Sequence, residues 1–264
     1  MKYIIVLFAT LLIGVVNTKA CYALTPATND TVYIELDPLF PKEFDNQDIS
    51  IFINWAYSGY EPYDFEHMLS EDWYDFSKDE ETNSFSLTKS DISIGKDYND
   101  CLQDSITYVS SANNILMIKG LTQKEKRPKA IMPEVNALQP GEKIDFTLNN
   151  QKYTLRGEGV VPQKDKIYLA PSFSIGYSNE SVINYKLYLS TNGREQLLLS
   201  IPTFNDTFVQ ILFIGDLDED GKPDFVFDTS RDYEERRVTL FLSSPAIDNE
   251  IVRAIDEANN QFDC

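Results

Sequence analysis

Apolar and polar positions alternate along most of this chain, which is the signature of half-buried β-strands. Thr31-Val32-Tyr33-Ile34-Glu35-Leu36 alternates and is stopped by Pro38 and Pro41. Ile49 to Trp55 reads as a second strand, mostly buried. Ser84 to Leu87, Ile106 to Val109 and Ile115 to Ile118 are further strand candidates. Lys143 to Leu148 and Lys152 to Arg156 flank Asn149-Asn150, which predicts a hairpin with its tip at the two asparagines. Ile183 to Leu189 and Glu195 to Ile201 flank Asn192-Gly193, the strongest short-range hairpin signal. Three apolar runs follow, Val209 to Ile214, Phe225 to Asp228 and Arg237 to Leu242.

Two stretches depart from this pattern. Residues 57–81 mix aromatic and acidic side chains, and a short helix is expected to begin near Tyr63. Near the C terminus, Pro245 opens a segment in which Ile247, Ile251, Val252 and Ile255 recur at helical spacing, so a C-terminal helix is expected. The predicted fold is mainly β, antiparallel and hairpin-rich, with that one helix. A soft boundary near Val161-Pro162 divides a β-rich domain over residues 24–160 from a second over 161–264.

Charge and cysteine content change the picture. The formal net charge is −19, which argues against a nucleic-acid partner because phosphates would be repelled. Aromatics reach 12% of residues, so the chain is a folding sequence and not an acidic disordered tail. Met1-Lys2-Tyr3, an apolar run from Ile4 to Val16 and small residues at Thr18, Ala20 and Ala23 predict a secretory signal over residues 1–23. Cleavage after Ala20 keeps Cys21, and cleavage after Ala23 removes it. The run has about 13 residues, too few to span a bilayer comfortably, and no transmembrane segment is expected. Export to the periplasm, cell surface or extracellular space follows, with lipid attachment at Cys21 as a weaker alternative. In an oxidising compartment, Cys101 and Cys264 form a candidate disulfide, two unrelated thiols being the other reading.

The densest chemistry lies at residues 216 to 224, Asp-Leu-Asp-Glu-Asp-Gly-Lys-Pro-Asp. Asp216, Asp218, Asp220 and Asp224 fall at loop positions 1, 3, 5 and 9, and Gly221 at position 6 permits a sharp turn. Alternating carboxylates in a tight loop converge on one point and offer the hard oxygen ligands that calcium takes, with the Lys222 carbonyl at position 7. Carboxylates about 5 Å apart repel by ~3 kcal/mol per pair at an effective dielectric near 20, so this spacing weakens a fold that has no cation to offset it.

With its flanking apolar runs, the loop resembles the calcium loops of FG-GAP and VCBS-type repeats, in which Asp-x-Asp-x-Asp-Gly-x-x-Asp joins two strands. The resemblance covers residues 214–230 and implies calcium ligation by the four aspartates and the Lys222 carbonyl. The motif occurs once, so a complete propeller is not expected. Phe227 stands at position 12, where an EF-hand places a bidentate glutamate, and strands replace the flanking helices.

Little else suggests catalysis. His67 is the single histidine, and no Walker, dinucleotide, nucleophile-elbow or zinc-protease motif is present. The favoured expectation is an exported, non-enzymatic calcium-binding protein of the bacterial envelope, with a protein or glycan partner at the cell surface. The alternatives are a secreted, glycosidase-like hydrolase with structural calcium, and a carbohydrate-binding module using Trp55, Trp73 and nearby tyrosines.

Overall fold

The computed structural model describes residues 31–33, 39–45, 48–58, 65–69, 72–122, 125–163, 167–169 and 182–261. The expected signal sequence, Cys21, Cys264, the second half of the first expected strand and Tyr63 lie outside these residues. From the N terminus, β1 (Thr31–Tyr33), β2 (Ser50–Phe52) and β3 (Trp55–Ser58) precede a single helical turn, α1 (Phe65–Met68). Then come β4 (Tyr74–Asp79), β5 (Ser84–Lys89), β6 (Ser93–Asn99), β7 (Asp104–Ser110), β8 (Leu116–Lys119) and β9 (Lys129–Ala130). Next are β10 (Lys143–Leu148), β11 (Gln151–Val160), β12 (Ile167–Leu169), β13 (Ile183–Thr191) and β14 (Arg194–Thr203). The last four are β15 (Gln210–Asp216), β16 (Asp224–Asp228), β17 (Glu235–Leu242) and β18 (Arg253–Gln261).

A five-stranded sheet, ordered β18-β17-β16-β15-β9, forms the centre. One of its faces meets the four-stranded sheet β10-β11-β13-β14 in a core that includes Phe146, Leu155, Tyr185, Leu187, Phe225 and Phe227. The other face meets the sheet β2-β8-β4-β5, with Phe76, Phe85, Ile118, Phe213, Val226 and Leu240 between them. Beyond that sheet lies a three-stranded one, β3-β7-β6, over a smaller core containing Phe65, Trp73, Val109 and Met117. A parallel pair, β1 with β12, completes the pairing. Among the described residues, neither a closed barrel nor a propeller forms, and no helix is long and apolar enough to cross a membrane.

Layer position explains the sequence patterns. In β13, which lines one core, burial alternates strictly through Ile183, Tyr185, Leu187 and Leu189. In β15, β16 and β17, which have a core on each face, burial runs nearly unbroken, as expected of covered strands. Both predicted hairpins form. Asn149 and Asn150 have φ of 47° and 66°, and Asn192 and Gly193 have 50° and 73°, the left-handed pairs that match strand twist in two-residue turns.

The expected C-terminal helix is absent. Its residues form a loop and then β18, which pairs antiparallel with β17. Ala254 faces one core, whereas Ile255 and Ala258 face the other. A register shift opposite Leu240/Phe241 breaks the two-residue period further. Two-sided burial with a bulge spaces apolar residues as a helix would. The division expected near residue 161 runs through shared structure, since β11 pairs with β13 and β9 pairs with β15.

The described residues of the acidic aromatic segment include the end of β3, the turn α1 and the strand β4. Trp73, Tyr74 and Phe76 are buried in β4 or just before it. Asp75 between them is 2% exposed, and its carboxylate accepts hydrogen bonds from the Ser90 and Ser111 hydroxyls and the Asn114 amide, at 3.0, 2.7 and 2.5 Å. A buried carboxylate held this way ties β4 to the segments around it.

Candidate metal centre

Strands β15 and β16 form a hairpin whose connection is the acidic loop, with Gly215 opposite Asp224 at its base. Gly215 lets β9 approach β15 closely, because a Cβ there would lie 2.2 Å from the Lys129 carbonyl oxygen. The loop then turns through left-handed Glu219 (φ 65°) and Gly221 (φ 85°). The side chain of Leu217 is fully buried in the core and roots the turn.

Aspartate side chains organise the turn through backbone donors. Asp224 is fully buried. Its Oδ2 accepts from the Leu217 and Asp218 amides at 2.6 and 3.2 Å. Its Oδ1 accepts from the Ser243 amide at 2.8 Å and lies 3.2 Å from the Ser243 hydroxyl. The Gly221 amide donates to Asp216 Oδ2 at 3.1 Å, and the Asp220 amide donates to Asp218 Oδ1 at 3.2 Å. From the neighbouring hairpin tip, the Asn149 amide donates to the Gly221 carbonyl at 2.8 Å.

Asp216, Asp218 and Asp224 each present a carboxylate oxygen within 4.8 Å of the others, an arrangement that can hold a metal ion. Asp216 Oδ1 and Asp218 Oδ2 are buried and take no hydrogen bond among the described residues. Each such oxygen costs about 1–3 kcal/mol unless something satisfies it. Asp220, expected as a ligand, stands outside this trio. Its Oδ1 accepts from the Lys222 amide and the Ser243 hydroxyl at 2.8 and 2.9 Å, and its Oδ2 lies 3.7 Å from Lys222 Nζ. The sequence pattern names the four aspartates but not Ser243 and Asn149, which topology brings in from β17's end and the β10–β11 tip.

The electrostatics follow from burial and like charge. Burial pushes the Asp224 carboxyl well above its ordinary value, and the Asp218 charge adds to this. Burial, then Asp220 and Asp218, raises Asp216. Both groups bind protons more tightly in the folded chain than in the unfolded one, so stability falls as pH rises from the ordinary aspartate value of 3.8 through these raised values. In chelator-containing buffer, the melting temperature is therefore expected to rise as pH is lowered from neutral through the raised values toward 3.8. The gain should shrink when Asp216 is replaced by asparagine. Melts across a pH series check this, and a flat profile shared by both proteins counts against it.

The remaining candidates lie elsewhere. His67 is exposed on α1 and contributes nothing to the trio. Trp73 is 3% exposed, with Lys119 Nζ over its ring at 5.3 Å, so it has no open face for a sugar ring. Trp55 is half-buried. Cys101 is disulfide-bonded, and the expected partner, Cys264, lies outside the described residues. Compared with known proteins, the chain matches no family model, no curated protein and no solved structure.

Proposed function

We propose that this chain is an exported protein whose acidic loop binds calcium as a structural clamp, and that it serves as an interaction module at the cell envelope or outside the cell. The observation that carries the calcium reading is the pair of buried, unpartnered oxygens, Asp216 Oδ1 and Asp218 Oδ2, within the three-carboxylate cluster. An all-oxygen donor set without histidine or cysteine suits a hard cation. The spacing shared with FG-GAP and VCBS-type loops supports calcium over magnesium, which demands stricter octahedral geometry. Export rests on the signal pattern over residues 1–23. Bound between β15 and β16 and linked through Ser243 to β17, the ion would hold three strands of the central sheet. The partner surface, for a protein or a glycan, would lie elsewhere on the molecule.

Calcium at a hundredfold excess over its Kd should stabilise the protein by about 2.7 kcal/mol. For a chain of this length that corresponds to roughly 5–10 °C in melting temperature. Chelator should remove the shift, and the double substitution Asp216→Asn, Asp218→Asn should abolish it. Identical melts in calcium and chelator for the unaltered protein would sink the reading.

A further inference from the structure

The segment before β9 delivers a cation to this cluster. The backbone of Lys126 exchanges two hydrogen bonds with Leu87 of β5, at 2.8 and 3.0 Å. Three residues later, Lys129 pairs with Asp216 at the root of the acidic loop. Lys126 thus stands on the short stretch of chain that runs from the edge of β5 to the root of the acidic loop. Its Nζ is buried and has no hydrogen-bond partner among the described residues. Burial pushes its ammonium below the usual lysine range, and the charges of Glu219, Asp218, Asp224 and Asp216 offset part of that push.

A buried ammonium with no acceptor is expensive unless nearby carboxylates compensate it. Here the compensating carboxylates include all three of the metal trio. The same field that retains Lys126 would attract a divalent cation, and the two cations repel each other. We propose that Lys126 is a built-in competitor for the metal, offsetting the cluster's charge when calcium is away and lowering the site's calcium affinity. The proposal rests on the calcium reading above. It implies that Lys126 tunes the site towards compartments rich in calcium and makes the metal-free fold more tolerant of its crowded carboxylates.

The test is isothermal titration of calcium into the unaltered protein and into the Lys126→Met, Lys126→Gln and Lys126→Arg variants, with melts in chelator alongside. Removing the charge should tighten the calcium Kd by at least about tenfold, within the usual range of coupling between two sites. It should also lower the melting temperature in chelator, so that the calcium-induced shift widens. Lys126→Arg keeps a cation and should stay close to the unaltered Kd. If calcium binds Lys126→Met and Lys126→Gln no tighter than the unaltered protein, the competitor role is wrong and the lysine merely positions the loop. If the unaltered protein takes up no calcium, the calcium reading itself fails, and this proposal with it. Should Lys126→Met not fold, the comparison of glutamine with arginine separates the outcomes.

Discussion

Replacing Asp224 with alanine is expected to lower the melting temperature by roughly 10 °C, the equivalent of about 3–5 kcal/mol in a chain of this length. The carboxylate is fully buried and gathers three amide donors from two places, Leu217 and Asp218 at the start of the loop and Ser243 beyond β17. Alanine leaves the Leu217 and Ser243 amides buried without an acceptor, and each such donor costs about 1–3 kcal/mol. Against this, removing the side chain relieves the repulsion with Asp218 that helps raise Asp224's protonation point. Asparagine preserves one acceptor oxygen but turns an amide NH2 towards donors, so its cost should be intermediate. The order alanine, asparagine, unaltered protein is measurable by thermal or urea unfolding in chelator. A cost below about 1 kcal/mol for alanine would show that the network contributes little beyond the packing of Leu217.

Phe213→Ala should cost a similar amount, about 3–5 kcal/mol, for a different reason. Phe213 is 2% exposed on the central sheet and faces the β2-β8-β4-β5 sheet. Its ring meets Phe76 edge-on at 5.1 Å and Phe85 at 5.0 Å. Truncation opens a cavity at the seam between two layers, bounded by strands that cannot easily close over it. Phe213→Leu should recover most of the loss, whereas truncating Tyr98, which is 54% exposed, should change stability by no more than about 0.5 kcal/mol. Urea unfolding of Phe213→Ala also bears on domain organisation. One cooperative transition fits layers that share a central sheet. Two transitions would fit the division near residue 161.

The elements legible in the sequence were those whose determinants are local. Asn149-Asn150 and Asn192-Gly193 announce their turns because left-handed backbone favours those residues. The acidic spacing of residues 216 to 224 announces a carboxylate cluster because its members are close in sequence, although Asp220 turns to Ser243 and Lys222 and leaves a trio. What stayed hidden depends on distant partners. The strand over Tyr74–Asp79 was obscured because Asp75, a charged residue in the middle of it, is buried by Ser90, Ser111 and Asn114. The strand over Ser93–Asn99 is mostly exposed at the edge of its sheet and carries almost no apolar signal. The strand over Arg253–Gln261 imitated a helix because both its faces are covered and its register slips. At the site, neither Ser243 nor Lys126 could be placed beside the aspartates without knowing which strands pair.

The central sheet's double covering has a consequence for how the molecule breathes. Amides of strands with a core on each side exchange with solvent chiefly through global opening, whereas edge strands and loops open on their own. The acidic loop springs from Asp216 and Asp224, at the ends of two such strands. A cation held there is attached to the part of the protein that lets go last. Its binding free energy would therefore slow exchange along the whole central sheet and not only in the loop, so that the ion would set how long the whole sheet stays closed.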